Sequence, residues 1–587
     1  MNYELNAEQH NKKVSAWGTM RSLWPLLEGE RSILIYAGIV TLANSLINLL
    51  APLLIAHVVD TFIIAKQFDG VIRYALILLA LYTTGLFTSY AQTRLMGGVG
   101  QRVLFNLRTK IFEKLQELPV AFFQANKTGD LISRINNDTD KLNQFFSQTL
   151  VQLVGSIVIM AGAAIFLLSI HLKLGAAALA PAAVLFVFTQ LLSPWIKRTN
   201  AASLASTGSL SAEVSESLQN FKVVVAFNRR DFFRKRFEET NDSNYKAAIR
   251  AGIANNTFTP IFGFSSNLAQ LIVLAYGVTL ITQGNFTLGL LISFLSYIQN
   301  FYNPLRQLAA LWTNLQVALA GWDRISAILR MKNEMNVLPV TEAETQKGHS
   351  LLTFKDVSFR YTEDKTVLHN VNFTLEAGKT YALVGPTGGG KTTTASLMAR
   401  LYDPTEGTVY LNGRDIRTYT VAERTQKIGF ILQEPMLFSG TVRENILYGN
   451  EAYKDFSNEA LVNAIHEAGL EGLLTRFDGG LEAKVATSGD ALSLGQKQLI
   501  AFMRSVLRNP DLLILDEATA NIDTVTEQLL EDILKKLPAH TTRVIIAHRL
   551  NTIENADEIF FVNSGEVTPA GSMQQAVDML LHGKKES

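Results

Sequence analysis

Charged residues divide this chain into two dissimilar halves. In the first half, long apolar runs contain no Asp, Glu, Lys or Arg. One lies between Arg31 and Asp60 and a second between Arg73 and Arg94. A third covers 150–170, and a fourth lies between Lys173 and Lys197. From Ala251 to Leu305 no residue is charged, and the polar triplet Gln283, Gly284, Asn285 splits that stretch in two. Each run reaches the roughly 20 residues that a helix needs to cross a bilayer. One such run could be a buried soluble helix, but six in series predict six membrane spans. Ahead of them, residues 16–31 mix Trp, Leu and Arg and predict a short helix lying at the membrane surface.

The connections between the spans alternate in charge. The segment from Arg94 to Lys141 carries Arg102, Arg108, Lys110, Lys114, Lys127 and Arg134 between its basic ends, and the segment from Lys197 to Arg250 carries ten Lys and Arg residues, its ends included. Against those ten Lys and Arg residues, the other connections hold only Lys66 and Arg73, then Lys173, then none. Lys and Arg mark the cytoplasmic side, so the N-terminus, both long connections and the second half are placed in the cytoplasm. The long connections themselves read as helical. Residues 102–118 are periodic and end at Pro119; residues 211–237 behave alike and carry a basic cluster at Arg229, Arg230, Arg234, Lys235 and Arg236. That cluster suits either a contact surface or a solvated positive-inside face. The tips near 120–128 and 224–231 are candidates for touching the second half.

Within the spans the polar residues are uncharged: Asn44, Asn48, His57, Gln92, Gln152, Gln190, Asn267, Gln270, Gln299 and Asn300. Aromatics gather in the last two spans at Phe258, Phe262, Phe264, Phe294, Tyr297, Phe301 and Tyr302. They predict either a wet, aromatic-lined cavity for amphipathic molecules or helix packing with interhelical hydrogen bonds. His57, near a span end, reads as structural. The bulk numbers fit this picture. Of 587 residues, 48% are hydrophobic and 18% charged; the net charge of +1 supplies no field for nucleic acid. There is no cysteine, which excludes disulfides and thiol chemistry. Glu4, Glu8, Glu28 and Glu30 interrupt any signal-peptide pattern.

Residues 331–350 are polar and unpatterned and read as a linker between a 1–330 membrane domain and a 351–587 domain. There, short alternating strands begin (352–359), and a glycine-rich stretch comes next: Gly385, Pro386, Thr387, Gly388, Gly389, Gly390, Lys391, Thr392. This is G-x-x-x-x-G-K-[ST], flanked by an apolar strand (380–384) and a helical stretch (393–402). Glycines let backbone N–H groups converge on phosphate oxygens, the Lys391 ammonium meets the β and γ phosphates, and the Thr392 hydroxyl can ligate Mg²⁺. The helix start adds its own affinity for anions. Downstream, the apolar strand 512–515 ends in Asp516 and Glu517. Asp516 would hold Mg²⁺ through water, and Glu517 would orient or deprotonate the attacking water. A second apolar strand, 544–547, ends in His548, whose neutral imidazole could donate to the γ-phosphate.

The order of these pieces resembles the ATP-binding-cassette family over nearly the whole chain, as a half-transporter of the exporter type. Leu492, Ser493, Leu494, Gly495, Gln496 is similar to the family signature L-S-G-G-Q. The resemblance implies a membrane all-α six-span bundle with long cytoplasmic helical extensions, followed by an α/β P-loop nucleotide-binding domain. It implies ATP and Mg²⁺ as cofactors. By the same match, Ser493, Gly495 and Gln496 reach the ATP of an opposing subunit, Tyr361 stacks on adenine, and Thr393 joins the loop in binding ATP. Gln433 contacts Mg²⁺ and the water, Asp523 lies at the subunit interface, and His548 is the switch histidine. The chain departs from the pattern at Leu494, at Thr487, where Glu is usual, and at Ala520, where Ser is usual. A side chain at Leu494 intrudes where backbone should approach phosphate. A complete catalytic half with a weakened signature resembles one subunit of a heterodimeric exporter, which implies a heterodimer in preference to a homodimer. The implied activity is ATP-driven export of hydrophobic or amphipathic drugs across the cytoplasmic membrane. A lipid flippase, a nucleotide-gated channel or regulator, and an importer are the alternatives. Replacing Glu517 with Gln is expected to nearly abolish ATP turnover while ATP binding persists, as measured by phosphate release alongside fluorescent-nucleotide binding.

Overall fold

A computed structural model describes residues 24–333, 335–339, 350–362, 365–486, 492–516, 524–546 and 556–571, with Tyr3, Leu5, 574–575 and 578–579. The chain forms two compact units. One comprises Lys12–Leu115 and Gly129–Arg330; the other comprises Met331–Ser587 together with Met1–Asn11 and Gln116–Thr128.

The first unit is helical: α1 (Arg31–Val58), α2 (Phe68–Glu117), α4 (Thr128–Ile170), α5 (Leu172–Gln219), α6 (Phe221–Ala226), α7 (Arg230–Asn256), α8 (Phe258–Thr282) and α9 (Leu288–Arg330); the short α3 (Val120–Ala125), which follows α2 in the chain, belongs to the other unit. The stretches Leu27–Ile63, Phe68–Glu117, Thr128–Ile170, Leu172–Gln219 and Arg230–Thr282 are long and apolar enough to cross a membrane. The sixth helix, α9, is 43 residues long but falls short of that composition. Gln299, Asn300 and Asn303 sit together in its apolar half. A 50-residue helix such as α2 is on the order of 75 Å long, well beyond the hydrocarbon thickness of about 30 Å. The long connections are therefore continuations of the spans. The break between α8 and α9 falls at the polar triplet, where Gly284 takes a φ of +76°. Of the expected surface helix only 24–30 is described, and it is a 3₁₀ turn.

Lipid offers helices no hydrophobic reason to associate, so close packing and buried hydrogen bonds must hold them. Ala163, Ala178 and Ala269 are fully buried and let neighbouring backbones approach. Phe294, Tyr297 and Tyr302 are buried beside them, and Tyr297 stacks on Phe166 at 5.2 Å. The Tyr297 hydroxyl donates to the Leu49 carbonyl (2.6 Å), the Tyr302 hydroxyl to the Ala178 carbonyl (3.0 Å), and the Ser293 hydroxyl to the Pro52 carbonyl (2.6 Å). Pro52 has no N–H, which leaves the Asn48 carbonyl without its helical donor; Asn300 Nδ2 donates to that carbonyl at 3.4 Å. Of the two readings of the aromatic cluster, these three rings follow helix packing, while Phe264 is exposed. His57 lies against Phe62 and Tyr74, at 5.9 and 5.1 Å.

The second unit contains two sheets. The strands are β1 (Ser350–Thr362), β2 (Lys365–Glu376), β3 (Thr380–Val384), β4 (Glu406–Leu411), β5 (Arg414–Asp415), β6 (Ile428–Ile431), β7 (Gly440–Thr441), β8 (Lys484–Val485), β9 (Leu512–Asp516), β10 (Thr542–Ile546), β11 (Glu558–Asn563) and β12 (Glu566–Pro569). One sheet runs β2-β1-β4-β5 and is antiparallel; the larger runs β12-β11-β3-β10-β9-β6 and is parallel except at its β12 edge. A two-stranded pair, β7-β8, completes the set. Parallel strands are buried on both faces, and β9 shows how: Leu512 and Ile514 enter one core, with Tyr381, Leu383 and Met398, and Leu513 and Leu515 enter another, with Leu499, Phe502 and Leu530.

Two further segments join this unit. Residues 335–339, within the stretch read as a linker, lie along it: Leu338 N donates to the Arg417 carbonyl (2.9 Å) and Arg400 Nη2 to the Asn336 carbonyl (3.0 Å). The first tip, near 120–128, belongs here too. Ala121 of α3 packs on the core, and the Tyr402 hydroxyl donates to Gln124 Oε1. Asn126 Nδ2 donates to the Tyr3 carbonyl (2.8 Å), and its Oδ1 accepts from the N–H of the buried Leu5 (3.2 Å). In the membrane unit, Tyr297→Phe is expected to cost about 1 kcal/mol of stability, read as a lower melting temperature in detergent with ATP binding unaltered.

Candidate functional site

The larger sheet sets the site by register. Ile546 pairs with Leu383 on one side and with Asp516 on the other, and Ile431 pairs with Leu515. The strands β3, β10, β9 and β6 thus end level with one another. Ligand sites in open α/β sheets lie beyond such carboxyl ends. Three of these strand ends carry groups that the chemistry needs: the glycine-rich loop after Val384, Asp516 at the end of β9, and Gln433 just past β6.

The loop folds tightly against the sheet. Gly385 has a φ of +147°, and a Cβ there would overlap the Val562 carbonyl of β11. Gly390, at φ +114°, precedes helix α10 (Lys391–Met398), and a Cβ on it would lie 2.8 Å from Leu368 Cδ2. Gly389 N donates to the Pro386 carbonyl and Gly565 N to the Gly389 carbonyl, each at 3.1 Å, bracing the loop on the β11–β12 turn. Pro386, Thr387 and Gly388 form the exposed crest. Lys391 is buried, and its ammonium donates to the carbonyls of Gly385 (2.8 Å) and Pro386 (3.1 Å). The amino end of α10, and with it the positive end of its dipole, adjoins the loop.

Tyr361 stands beside this helix. Its hydroxyl shares a 3.1 Å hydrogen bond with Thr393 Oγ1, its ring is edge-on to Phe359 (4.8 Å) and Tyr402 (5.2 Å), and it is 42% exposed. Burial pushes its phenol pKa up against the opposing Thr393 hydrogen bond, so it remains neutral. One part of the ring is therefore available to a base while the rest is fixed.

The Thr392 hydroxyl group, the Asp516 carboxylate and the Gln433 amide are hard oxygen donors, as Mg²⁺ prefers. Thr392 and Gln433 are exposed and Asp516 is buried. Among the described residues no group of three or more His, Asp or Glu could cage a metal.

The helices α11 (Val442–Leu447) and α12 (Asn458–Glu467) are among the elements that lie between the loop and the signature helix α13 (Leu494–Val506), which Ser493 caps. Gln496 N donates to Ser493 Oγ (3.2 Å) and Ser493 N to Gln496 Oε1 (3.0 Å), a capping box that the S-x-x-Q spacing itself announces. Gln496 Nε2 donates to the Arg476 carbonyl (3.1 Å). Leu494, at the first helical position, is 37% exposed. The structure thus brings the loop residues 385–392, Thr393, Tyr361, Asp516 and Gln433 to one sheet edge. Ser493, Gly495 and Gln496 sit instead on a helix that packs on the opposite core. Glu517, Asp523 and His548, with Thr487 and Ala520, lie outside the described residues. The bracing Val562 carbonyl carries no motif that would mark it in the sequence, and neither does Tyr402, which packs on Tyr361 without touching the loop.

A bundle of membrane-length helices joined to a phosphate-loop domain defines a membrane transporter driven by ATP hydrolysis. The family model for the ABC transporter transmembrane region matches residues 34–305, and that for ABC transporter matches residues 368–520. An uncharacterised ABC transporter ATP-binding protein of Bacillus subtilis, YfiC, is 32% identical over 97% of this chain and 94% of its own. A fatty acid ABC transporter ATP-binding/permease protein of Mycobacterium tuberculosis is 34% identical over 86% and 79%. A multidrug resistance ABC transporter ATP-binding and permease protein of Lactococcus lactis is 31% identical over 92% and 90%. The fold matches that of a bacterial Atm1-family ABC exporter with ATP bound, with a TM-score of 0.77 and 24% identity over 95% of this chain and 99% of that one. The chain belongs to the ABC transporter family, as an exporter half-transporter. Gly385→Ala is expected to weaken ATP binding roughly ten-fold or more, measured with a fluorescent nucleotide on the purified chain.

Proposed function

We propose that this chain is the catalytically complete half of a two-subunit exporter of hydrophobic or amphipathic compounds in the cytoplasmic membrane. The observation that carries this reading is a disparity between two faces. The phosphate loop is intact and braced, whereas the signature helix opens with an exposed isobutyl group at Leu494. Capping bonds occupy Ser493 and Gln496 at a helix start whose packing is separate from the loop. A phosphate loop of this kind needs a second chain to present its signature. The chain's own signature is ill suited to approach phosphate closely, so a different partner subunit supplies the better one.

In this mechanism Tyr361 stacks on adenine and the loop N–H groups hold the phosphates. Lys391 transfers its ammonium from the loop carbonyls to the β and γ phosphates, and Glu517 orients the attacking water, with His548 donating to the γ-phosphate. Thr392, Gln433 and Asp516 would hold Mg²⁺, which when bound neutralises charge developing on the transferred group. Closure of the two nucleotide domains moves the cytoplasmic tips. At the second tip, Phe221, Val223 and Phe227 are exposed on and after α6, an apolar face suited to a protein partner. The Lys and Arg bias of the long connections supports a cytoplasmic N-terminus and nucleotide domain.

For the substrate, the multidrug name of one relative and the sparse intramembrane charge support an amphipathic drug. The fatty acid name of another supports a second reading, lipid transport. Inside-out vesicles separate these readings. ATP-dependent accumulation of ethidium supports drug export, accumulation of a labelled fatty acid alone supports lipid transport, and passive ion current indicates a channel. In the two-subunit assay, Leu494→Gly is expected to raise total ATP hydrolysis several-fold; unchanged turnover would remove the argument for asymmetry.

A further inference from the structure

One side chain links the nucleotide pocket to the first cytoplasmic tip. Tyr402, in the turn after α10, is 8% exposed. Its ring meets Tyr361 edge-on at 5.2 Å and 89°, and meets Phe359 at 5.5 Å and 59°. Its hydroxyl donates to Gln124 Oε1 on α3. Burial, with Tyr361 adding to it, pushes the Tyr402 phenol up to about 12, so the hydroxyl keeps its proton and remains a donor. At the other end of the chain of contacts, the Tyr361 hydroxyl and Thr393 Oγ1 share a bond on the first turn of α10, next to Thr392. Thr393, Tyr361, Tyr402 and Gln124 thus form a continuous line of contacts.

The far end of that line is a short lever. Phe122 of α3 is fully buried and Ala121 packs on the nucleotide core. Asn126 Nδ2 closes the helix on the Phe122 carbonyl at 2.8 Å. The lever therefore moves as one piece, and Gln124 is its polar attachment. A buried tyrosine clamped between an aromatic edge and a hydrogen bond cannot shift at one end alone, because interiors are close-packed.

We propose that Tyr402 is the joint that reports nucleotide occupancy to the first cytoplasmic tip. A base that takes the face of Tyr361 disturbs the edge contact to Tyr402, and the Tyr402 hydroxyl passes that displacement to Gln124. The inference rests on reading Tyr361 as the base-stacking residue. Tyr402 is a positioning residue: it touches Tyr361 and Gln124, and its hydroxyl is not needed to bind the base.

The chain's lack of cysteine permits a clean test. Phe123, 45% exposed on α3, is replaced by Cys and labelled with an environment-sensitive fluorophore. Adding Mg·AMP-PNP to the purified full chain is expected to change the emission. Tyr402→Phe keeps the ring and removes only the hydroxyl; with Gln124→Leu as its counterpart, each should cut that change at least about five-fold. The double variant should do no more than either single variant, as coupled partners require. Affinity for mant-ATP should stay within about two-fold of the parent, since the base still meets an intact Tyr361. An unchanged response in Tyr402→Phe, or no response in the labelled parent, overturns the proposal. So does a shifted spectrum before nucleotide is added, which would make the hydroxyl a static anchor for α3, and so does weakened mant-ATP binding, which would assign it to the pocket. Tyr361→Ala separates the premise from the inference: unaltered mant-ATP affinity there removes the base-stacking reading and the joint with it.

Discussion

Backbone hydrogen bonding across β3, β10, β9 and β6 fixes the depth at which each strand stops, and the rest of the nucleotide unit depends on it. Leu383, Ile546, Asp516 and Leu515 are tied in one register, so the groups beyond them share an edge. The loop then needs only a firm seat. Gly385 lies so close to the Val562 carbonyl that no other residue fits, which couples the phosphate-binding backbone to β11 rather than leaving it a free turn. Strand order does the assembling, and side chains placed far apart along the chain meet because their strands are neighbours.

The membrane unit meets a different constraint. Its helices cannot gain by hiding apolar surface from lipid, so small residues and a few well-placed hydroxyls hold them. Tyr297, Tyr302 and Ser293 each donate to a carbonyl of another helix. Pro52 creates a carbonyl in need of a donor and Asn300 answers it. The two units thus use their polar groups differently: for strand register in one, for joining helices in the other.

Much of this was legible in the sequence because the signals are local. Charge-free runs mark the spans, Gln283 to Asn285 marks the break between the last two, and the loop motif marks the tight turn that joins β3 to α10. Asp516 was readable as the end of an apolar strand. The helix α9 was less so, since Gln299, Asn300 and Asn303 dilute its apolar half. The aromatic rings of the last spans suited two readings, because periodicity places them on a face without saying what covers it; burial and carbonyl partners decide for Tyr297 and Tyr302. Residues 335–339 looked like plain linker, as their bonds to Arg417 and Arg400 are made by backbone groups. The line from Tyr361 through Tyr402 to Gln124 left no trace, for a contact across such a separation depends on tertiary packing alone.

The carbonyls that hold Lys391 bear on ligand discrimination. An incoming anion competes with Gly385 and Pro386 for the same ammonium. Since charge-assisted hydrogen bonds are worth roughly 1.5–3 kcal/mol each, a lone phosphate that wins the lysine gains little beyond what it displaces. A ligand that also engages the loop N–H groups and an aromatic face gains on every additional contact. On the proposed reading of this loop, the lysine's internal partners disfavour small anions such as orthophosphate relative to molecules that carry several phosphates and a base together.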